Sequence, residues 1–492
     1  MQEHKASYRD IMKATSLFGG VQVFNIIIAI IRSKIIAVFL GPAGMGILGL
    51  LTSTAGLVGS LTNFGLGTSA IRDIAAANES GDQNRINKVV TVFRRLVWIT
   101  GLLGAVTTFI AAPWLSRLTF GNNDYTLAFM WLSCSLLFNQ LVSGQNVLMQ
   151  GMRKLKYLAK ANMLGSLIGL VISVPLYYYY RVDGIVPAII LTALFLLGIT
   201  WYFARKIKIE RAEVTPDETI FEGKEMLKMG FMLSLSGLIT TGASYIVRVF
   251  IGNTGSLEDV GLYNAGFAII GTYVGLVFTA MSTDYYPRLS GVAHDNKKAI
   301  LLINQQAEIA LLILAPILAV FLIFINWAVI LLYSAEFTPV NGLVQWAALG
   351  MYFKAASWSI AFILLAKGNS KLFFLNELIV DIYMIGLNLL GYHFYGLDGL
   401  GISFLISYAL YFLQVFMLAK YKYEFRFSTH FYKIFGIQLA LGILCFVITM
   451  FVSAPIAYIL GLPFILISVW YSFKELDKRM DLKGIVNNYR NK

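Results

Sequence analysis

Charge is what this sequence has least of. Only 13% of its 492 residues are Asp, Glu, Lys or Arg, 58% are hydrophobic, and the mean hydropathy is +0.71. That balance excludes a soluble globular protein, and the apolar runs have the roughly 20-residue length needed to cross a bilayer. Cysteine is nearly absent: Cys134 and Cys445 both fall inside apolar stretches, which argues against a disulfide framework and gives no sign of redox chemistry. The four histidines, His4, His294, His393 and His430, are scattered at or outside the ends of those stretches and offer no metal-binding cluster. A G-x-x-x-x-G-K-[ST] loop is missing too, since Gly223-Lys224 is followed by Glu225, so the chain has no evident means of using ATP itself. No cofactor is expected.

What is present is a series of fourteen apolar spans: 16–40, 45–68, 96–115, 127–149, 161–178, 184–203, 229–252, 261–284, 307–333, 340–366, 373–394, 397–419, 434–452 and 455–473. Their loops differ in charge by parity. The amino terminus, the loops after spans 2, 4, 6, 8, 10 and 12, and the carboxyl tail hold 33 of the 39 Lys and Arg, whereas the alternate loops hold only Arg117 and Arg181. The positive-inside rule then places both termini in the cytoplasm. The net charge of +13 is mostly this topology signal. A nucleic-acid partner, which needs a soluble basic surface, is excluded. The first span follows a charged segment and is longer than a signal-peptide core, so it is expected to be retained. No outer loop is long enough to form a domain.

The chain repeats itself. Arg32 matches Arg248 at an offset of 216, Gly46 matches Gly261 at 215, Asp82 matches Asp295 at 213 and Gly151 matches Gly368 at 217. A fifth pair joins Val182-Asp183-Gly184-Ile185 to Leu397-Asp398-Gly399-Leu400 at 215. Six spans per repeat, an even number, insert both halves the same way up, as in transporters that rock two lobes about a central site. The expected fold is an all-α integral membrane protein of about 14 transmembrane helices. It divides into an N-terminal lobe over 1–204, a cytoplasmic linker over 205–228, a C-terminal lobe over 229–426, and two further helices with a basic tail over 427–492.

Four cations sit inside spans, where a charge costs at least ~2.5 kcal/mol on insertion scales and usually faces water or a partner. Arg248 shares a helical face with Thr241, Ser244 and Tyr245, a polar stripe suited to a wet cavity. Arg32 shares its face with Asn25 and Ala29, while Lys34 lies roughly opposite among Ile27, Ile30 and Ile31. Snorkelling suits Lys34, and Gly41 ends the helix about 12 Å beyond Arg32 at 1.5 Å per residue, within reach of the same behaviour. Lys354 lies mid-span with Ala347, Gly350 and Ser357, small residues that let a helix or a ligand approach. Cations around one cavity imply an anionic substrate. Span 11 carries the opposite sign, with Glu377 and Asp381 four apart and Asn388 further along the face. Two readings stand for the acids, an ion-coupling site or a neutralising partner for Lys354. Span 4 presents Asn139, Ser143, Asn146 and Gln150 on one face, and span 2 presents Ser53, Gly56, Ser60 and Asn63. Such amides and hydroxyls suit a sugar, and they equally serve as interhelical glue. The aromatic run Tyr177 to Tyr180 reads as interfacial belt.

The run Arg32-Ser33-Lys34 through Leu40-Gly41-Pro42-Ala43-Gly44-Met45-Gly46, then Phe120-Gly121-Asn122-Asn123-Asp124-Tyr125, and Lys354 ahead of Leu365-Ala366-Lys367, resembles the O-antigen/polysaccharide flippase (Wzx-type) family. The branch it most resembles includes the enterobacterial common antigen flippase, and Glu377 falls where that pattern has an acid. This family belongs to the multidrug/oligosaccharidyl-lipid/polysaccharide exporter superfamily. The resemblance implies two six-helix lobes around a cationic lumen and a substrate, an oligosaccharide on undecaprenyl pyrophosphate, moved from the cytoplasmic to the periplasmic leaflet of a bacterial inner membrane. It also implies polymerase and glycosyltransferase partners. Spans 13 and 14 exceed the twelve common in that branch, so the resemblance does not cover them.

On this reading Arg32, Arg248 and Lys354 receive pyrophosphate, with Lys34, Asn25, Ser244, Tyr245, Asn139, Ser143 and Asn146 as further substrate-binding candidates. Glu377 and Asp381 are the ion-coupling candidates. Two rivals are a drug or metabolite antiporter, which favours an acidic lumen that the amino-terminal lobe lacks, and a polysaccharide polymerase or ligase, for which a substantial outer loop is expected.

Overall fold

A computed structural model of the chain describes residues 2–210 and 212–480, with nearly all side chains from Val21 onward. The His4 side chain and the end of the basic tail, 481–492, lie outside the described residues. Hydrocarbon offers no partner to backbone N–H and C=O groups, so spans must satisfy them internally. Among the described residues all regular structure is indeed helical, with no strand. In chain order the helices are α1 (Gln2–Thr62), α2 (Leu66–Ser80), α3 (Gln83–Phe120), α4 (Thr126–Gly151), α5 (Leu155–Tyr180), α6 (Ile185–Ala204) and α7 (Pro216–Thr254). They continue with α8 (Leu257–Ala268), α9 (Leu276–Gly291), α10 (Asn296–Leu332), α11 (Asn341–Ala366), α12 (Ser370–Tyr423), α13 (Thr429–Phe451) and α14 (Ala454–Met480).

By length and composition ten helical stretches are able to cross a membrane, and eleven if α7, bent by 55° between Pro216–Met232 and Gly237–Thr254, counts as one. Three of the ten, Phe24–Thr62, Leu155–Ala204 and Ser370–Tyr423, are each long enough for two crossings. Counted as two apiece, they bring the total to the fourteen spans read from the sequence. Each is interrupted where a double crossing requires it. Gly41 breaks α1 at φ 65°, ahead of Pro42, and Gly396 breaks α12 at φ 56°. Between α5 and α6 the 3₁₀ turn Arg181–Gly184 does the same. The repeat-related glycines behave alike there: a Cβ on Gly184 would lie 2.4 Å from the Leu176 carbonyl oxygen, and one on Gly399 1.8 Å from that of Gly391.

The repeated aspartates also share a job. Asp82 caps α3 by accepting from the backbone N–H groups of Asn84 and Arg85, and Asp295 caps α10 through those of Lys297 and Lys298. The Lys298 N–H is the chief reason that the Asp295 carboxyl is held below the ordinary carboxylate range.

Two compact units divide the chain, Met1–Gly261 and Leu262–Lys492. In the first, α3, α4, α5 and α6 each contribute to both of two apolar clusters, α1 to one and α7 to the other. Ile36, Leu51, Leu115, Phe129, Leu132 and Ala188 belong to one; Leu66, Ile74, Phe93, Leu148, Phe203 and Met226 belong to the other. The segment 205–228, which lies within this unit, is strapped to α3. Arg95 donates to the Val214 carbonyl and to Thr219 Oγ1, and Lys88 pairs with Glu218 and Glu222 at 3.0 and 3.2 Å. A capping box between Thr215 and Glu218 starts α7. The Thr215 backbone N–H, ahead of Lys88, depresses the Glu218 carboxyl, so the strap holds above the ordinary glutamate range and loosens as pH falls through the lowered value. In the second unit, α13 and α14 are joined by Gln438, which exchanges hydrogen bonds with Ser468 and Ser472. Arg479 of α14 is fixed to α10 through Glu308 at 2.8 Å.

Small residues set the helix spacing, as expected where apolar burial gives no advantage over lipid. A Cβ on Gly46 would meet the Leu257 carbonyl oxygen at 1.9 Å, and one on Gly261 the Pro42 carbonyl oxygen at 1.8 Å. Gly46→Ala and Gly261→Ala are each expected to destabilise the protein by about 2 kcal/mol through overpacking, read by unfolding in detergent. Gly56→Ala, with open space at its Cβ, is expected to leave stability unchanged.

Candidate functional site

The first unit contains a polar cavity of about 650 Å³. Asn139, Ser143, Asn146 and Gln150 line it from α4, Ser60 and Asn63 from the end of α1, and Ser234 and Thr241 from α7. The i, i+4, i+7, i+11 stripe of span 4 therefore meets the end of the span 2 stripe, and among the described residues none that lines the cavity is a carboxylate or a cation. Gln140 also lines the cavity, and its Nε2 donates to Thr100 Oγ1 at 2.9 Å. Asn146 Oδ1 is a buried acceptor without a hydrogen-bond partner. Leaving such a group unmet costs about 1–3 kcal/mol, which a donor on a ligand would recover.

Two turn geometries shape this wall. Phe64 and Gly65 follow one another in the left-handed region, at φ 49° and 63°, and stop the helix abruptly after Thr62. Asn63 Oδ1 accepts from the Gly65 N–H at 2.7 Å and closes the turn. Such local side-chain bonds let asparagine replace the lost helical ladder.

The predicted cations are distributed otherwise. Arg32 is half-buried on α1 against Tyr177 of α5, and its Nε is buried without a hydrogen-bond partner. Asn25, one face with Arg32, accepts from Ser166 of the same α5 at 2.9 Å. Tyr177 thus departs from the belt reading: it is fully buried, while Tyr178, Tyr179 and Tyr180 are exposed. Its position on the helix turns it toward α1. Lys34 is half-buried.

On α7, Arg248 turns back to its own helix and donates to the Ser244 carbonyl at 3.1 Å and to the Ser244 hydroxyl. Tyr245 is buried, its hydroxyl 2.8 Å from Thr119 Oγ1, which in turn lies 3.3 Å from Thr54 Oγ1. Among the predicted contacts of that stripe, only Thr241 reaches the polar cavity.

In the second unit Lys354 is surrounded by aromatic faces, 5.0 Å from the Tyr408 ring centroid, 5.8 Å from Phe404 and 5.9 Å from Phe278. Cation–π contact of this kind offsets part of a cation's desolvation. The small face beside it admits a helix, because a Cβ on Gly350 would strike Phe404 at 2.6 Å. Glu377 Oε1 accepts from the Tyr411 hydroxyl at 2.7 Å and from Asn376 Nδ2 at 3.1 Å. Asn388 accepts from Ser403 at 2.7 Å, so the acidic face of span 11 is turned toward span 12. Among the described residues Glu377 forms no ion pair with Lys354. The aromatic cage and Tyr411 were missed because single-sequence spacing says nothing about which neighbouring helix supplies a partner.

The fold is that of the multidrug/oligosaccharidyl-lipid/polysaccharide exporters. It superposes on the Lipid II flippase MurJ in an inward closed conformation with a TM-score of 0.71 and 14% identity, over 94% of this chain and 99% of that one. A multidrug resistance MATE family transporter of the same superfamily, inward-facing, superposes at 0.64 with 16% identity, over 81% and 94%. Residues 35–342 match the sequence profile of the polysaccharide biosynthesis protein family, and the chain belongs to it. The Lipid III flippase of Escherichia coli (strain K12) is 22% identical over 353 residues, 70% of this chain and 82% of that protein. These similar proteins are flippases and transporters, not enzymes.

Because Tyr245 closes a buried hydroxyl chain, Tyr245→Phe is expected to lower stability by about 1 kcal/mol. Equilibrium unfolding of the detergent-solubilised protein measures it; unchanged stability would leave Tyr245 free for a ligand.

Proposed function

We propose that this protein is a flippase that carries an undecaprenyl-pyrophosphate-linked oligosaccharide from the cytoplasmic to the periplasmic leaflet of a bacterial inner membrane, in the service of O-antigen or related lipopolysaccharide biosynthesis. The observation that carries the reading is the uncharged polar cavity of the first unit. Amide side chains offer donors and acceptors together, as sugar hydroxyls require. A cationic drug would need a carboxylate there, which disfavours the antiporter reading. Membership of a polysaccharide biosynthesis family and the likeness to a Lipid III flippase support the same substrate class.

The cavity lies where α4 ends and α7 begins, beside loops rich in Lys and Arg, so we assign it to the cytoplasmic side and both termini with it. Sugars enter it in an inward-open form, and alternating access then exposes them to the periplasm. Arg32 and Arg248 of the first unit and Lys354 of the second are the proposed pyrophosphate cations, with Lys34 accessory to Arg32. Arg32 is the strongest of them, since its buried Nε has an unmet donor. Asn25, Ser244 and Tyr245 support the cations by holding neighbouring groups. Glu377 and Asp381 are the candidates for coupling to an ion gradient. A polymerase and glycosyltransferases would act on either side of the step.

Complementation of flippase-deficient bacteria tests the proposal, with surface glycan scored against membrane abundance. Wild type is expected to restore glycan, and Arg32→Gln, Arg248→Gln and Lys354→Gln to lose at least tenfold at equal abundance. Variants as active as wild type would make those charges structural. Failure of wild type across strains differing in glycan would overturn the flippase reading.

A further inference from the structure

Beside the polar cavity, within the same unit, lies an apolar groove of about 550 Å³. Phe64, Leu96, Ile99, Leu227 and Phe231 form its walls, and Lys224 and Lys228 also line it. The two spaces share a partition. Asn63, Gly65 and Ser234 line the polar side, while Phe64 and Phe231 line the apolar side. Neighbours in sequence therefore face different chemistries across the place where the end of α1 crosses α7. That crossing is backbone against backbone: a Cβ on Gly65 would lie 2.0 Å from the Gly230 carbonyl oxygen, and one on Gly230 2.6 Å from that of Phe64.

The arrangement is bought with strain. A bulky aromatic residue with φ near 49° is uncommon, and strained positions that persist cluster at ligand clamps. Here the strain places the Phe64 ring against Phe231, 6.5 Å between centroids. Glu218 and Glu222 of the same helix are already engaged by Lys88, and Lys224 and Lys228 are both exposed, with only Glu225 between them. Ile220 and Phe221, on the same segment, are 67% and 73% exposed. Exposed apolar side chains beside lysines suit the boundary between headgroups and acyl chains.

We infer that the groove receives the polyprenyl chain of the substrate as it loads, with the pyrophosphate met first by Lys224 and Lys228, ahead of the cations proposed above, and the sugars directed past the Gly65 and Gly230 crossing into the polar cavity. This rests on the flippase reading. Tail, anionic link and hydroxyl-rich head are met in that order by an apolar wall, two cations and an amide-lined space. A bilayer phospholipid offers a tail and a phosphate but no head that uses the amides.

The test is photolabelling of the full-length protein in phosphatidylcholine vesicles with diazirine-bearing undecaprenyl phosphate, the labelled residues being mapped by mass spectrometry. Labelling is expected at Ile99 and Phe231, suppressed by unlabelled undecaprenyl phosphate and not by the same amount of phosphatidylglycerol. Lys224→Gln with Lys228→Gln is expected to reduce it at least fivefold. Gly223→Leu is expected to do the same by filling the groove, since a Cβ there already lies 3.1 Å from Leu96. The exposed lysine pair keeps the test meaningful if the glycine variant misfolds. Equal suppression by phosphatidylglycerol, or undiminished labelling of the lysine variant, overturns the assignment. Specific labelling in a protein that restores glycan to no strain would leave the groove standing and remove the flippase reading. Restored glycan without groove labelling would do the reverse.

Discussion

A peptide group in hydrocarbon must find its hydrogen bond within the protein, because an unmet N–H or C=O there costs several kcal/mol. Everything distinctive in this fold is a place where that demand is met by something other than an uninterrupted helix. The break in α1 falls at a glycine in the left-handed region followed by proline, which has no N–H to satisfy. At Asn63 a side-chain amide takes over from the ladder. Between α5 and α6 a tighter turn does so. The polar cavity exists because the helix stops at Asn63 rather than running on, and the groove exists because the next residue is forced into a conformation that aromatic side chains rarely adopt.

Much of this was legible in the sequence, and the reasons differ from case to case. The fourteen crossings were readable because hydropathy is a property of single segments, and the double-length helices did not obscure it. The repeat was readable because glycines and caps answer to backbone geometry: Asp82 and Asp295 do the same work at helix starts, as do Gly184 and Gly399 at turns. The stripe on span 4 could be found from 3.6-residue spacing alone. Spacing identifies a face and not its neighbour, however. Arg32 and Asn25 were correctly placed together, yet only the structure reveals that both address α5 through Tyr177 and Ser166. The ties between the segment 205–228 and α3 join residues more than a hundred positions apart, and no local pattern encodes them.

Polar groups in these helices divide into those already committed and those left open. Thr54, Thr119 and Tyr245 satisfy one another, as do Gln438, Ser468 and Ser472, and such closed sets act as fasteners. Asn146 and Arg32 each retain a buried atom without a partner. The distinction is more informative than polarity itself, because a fastener is as hydrophilic in composition as a binding wall.

The pairing of Gly46 and Gly261 carries a consequence for how the chain can evolve. Each glycine faces the backbone of the opposing helix directly across from the other, so the smallest residue stands on both sides of one contact. A side chain gained on either side therefore cannot be accommodated by shrinking the residue opposite, since nothing smaller exists. Second-site suppressors of such a change would have to arise by moving a helix, at its ends or at its bends, and genetic reversion should map there and not across the contact.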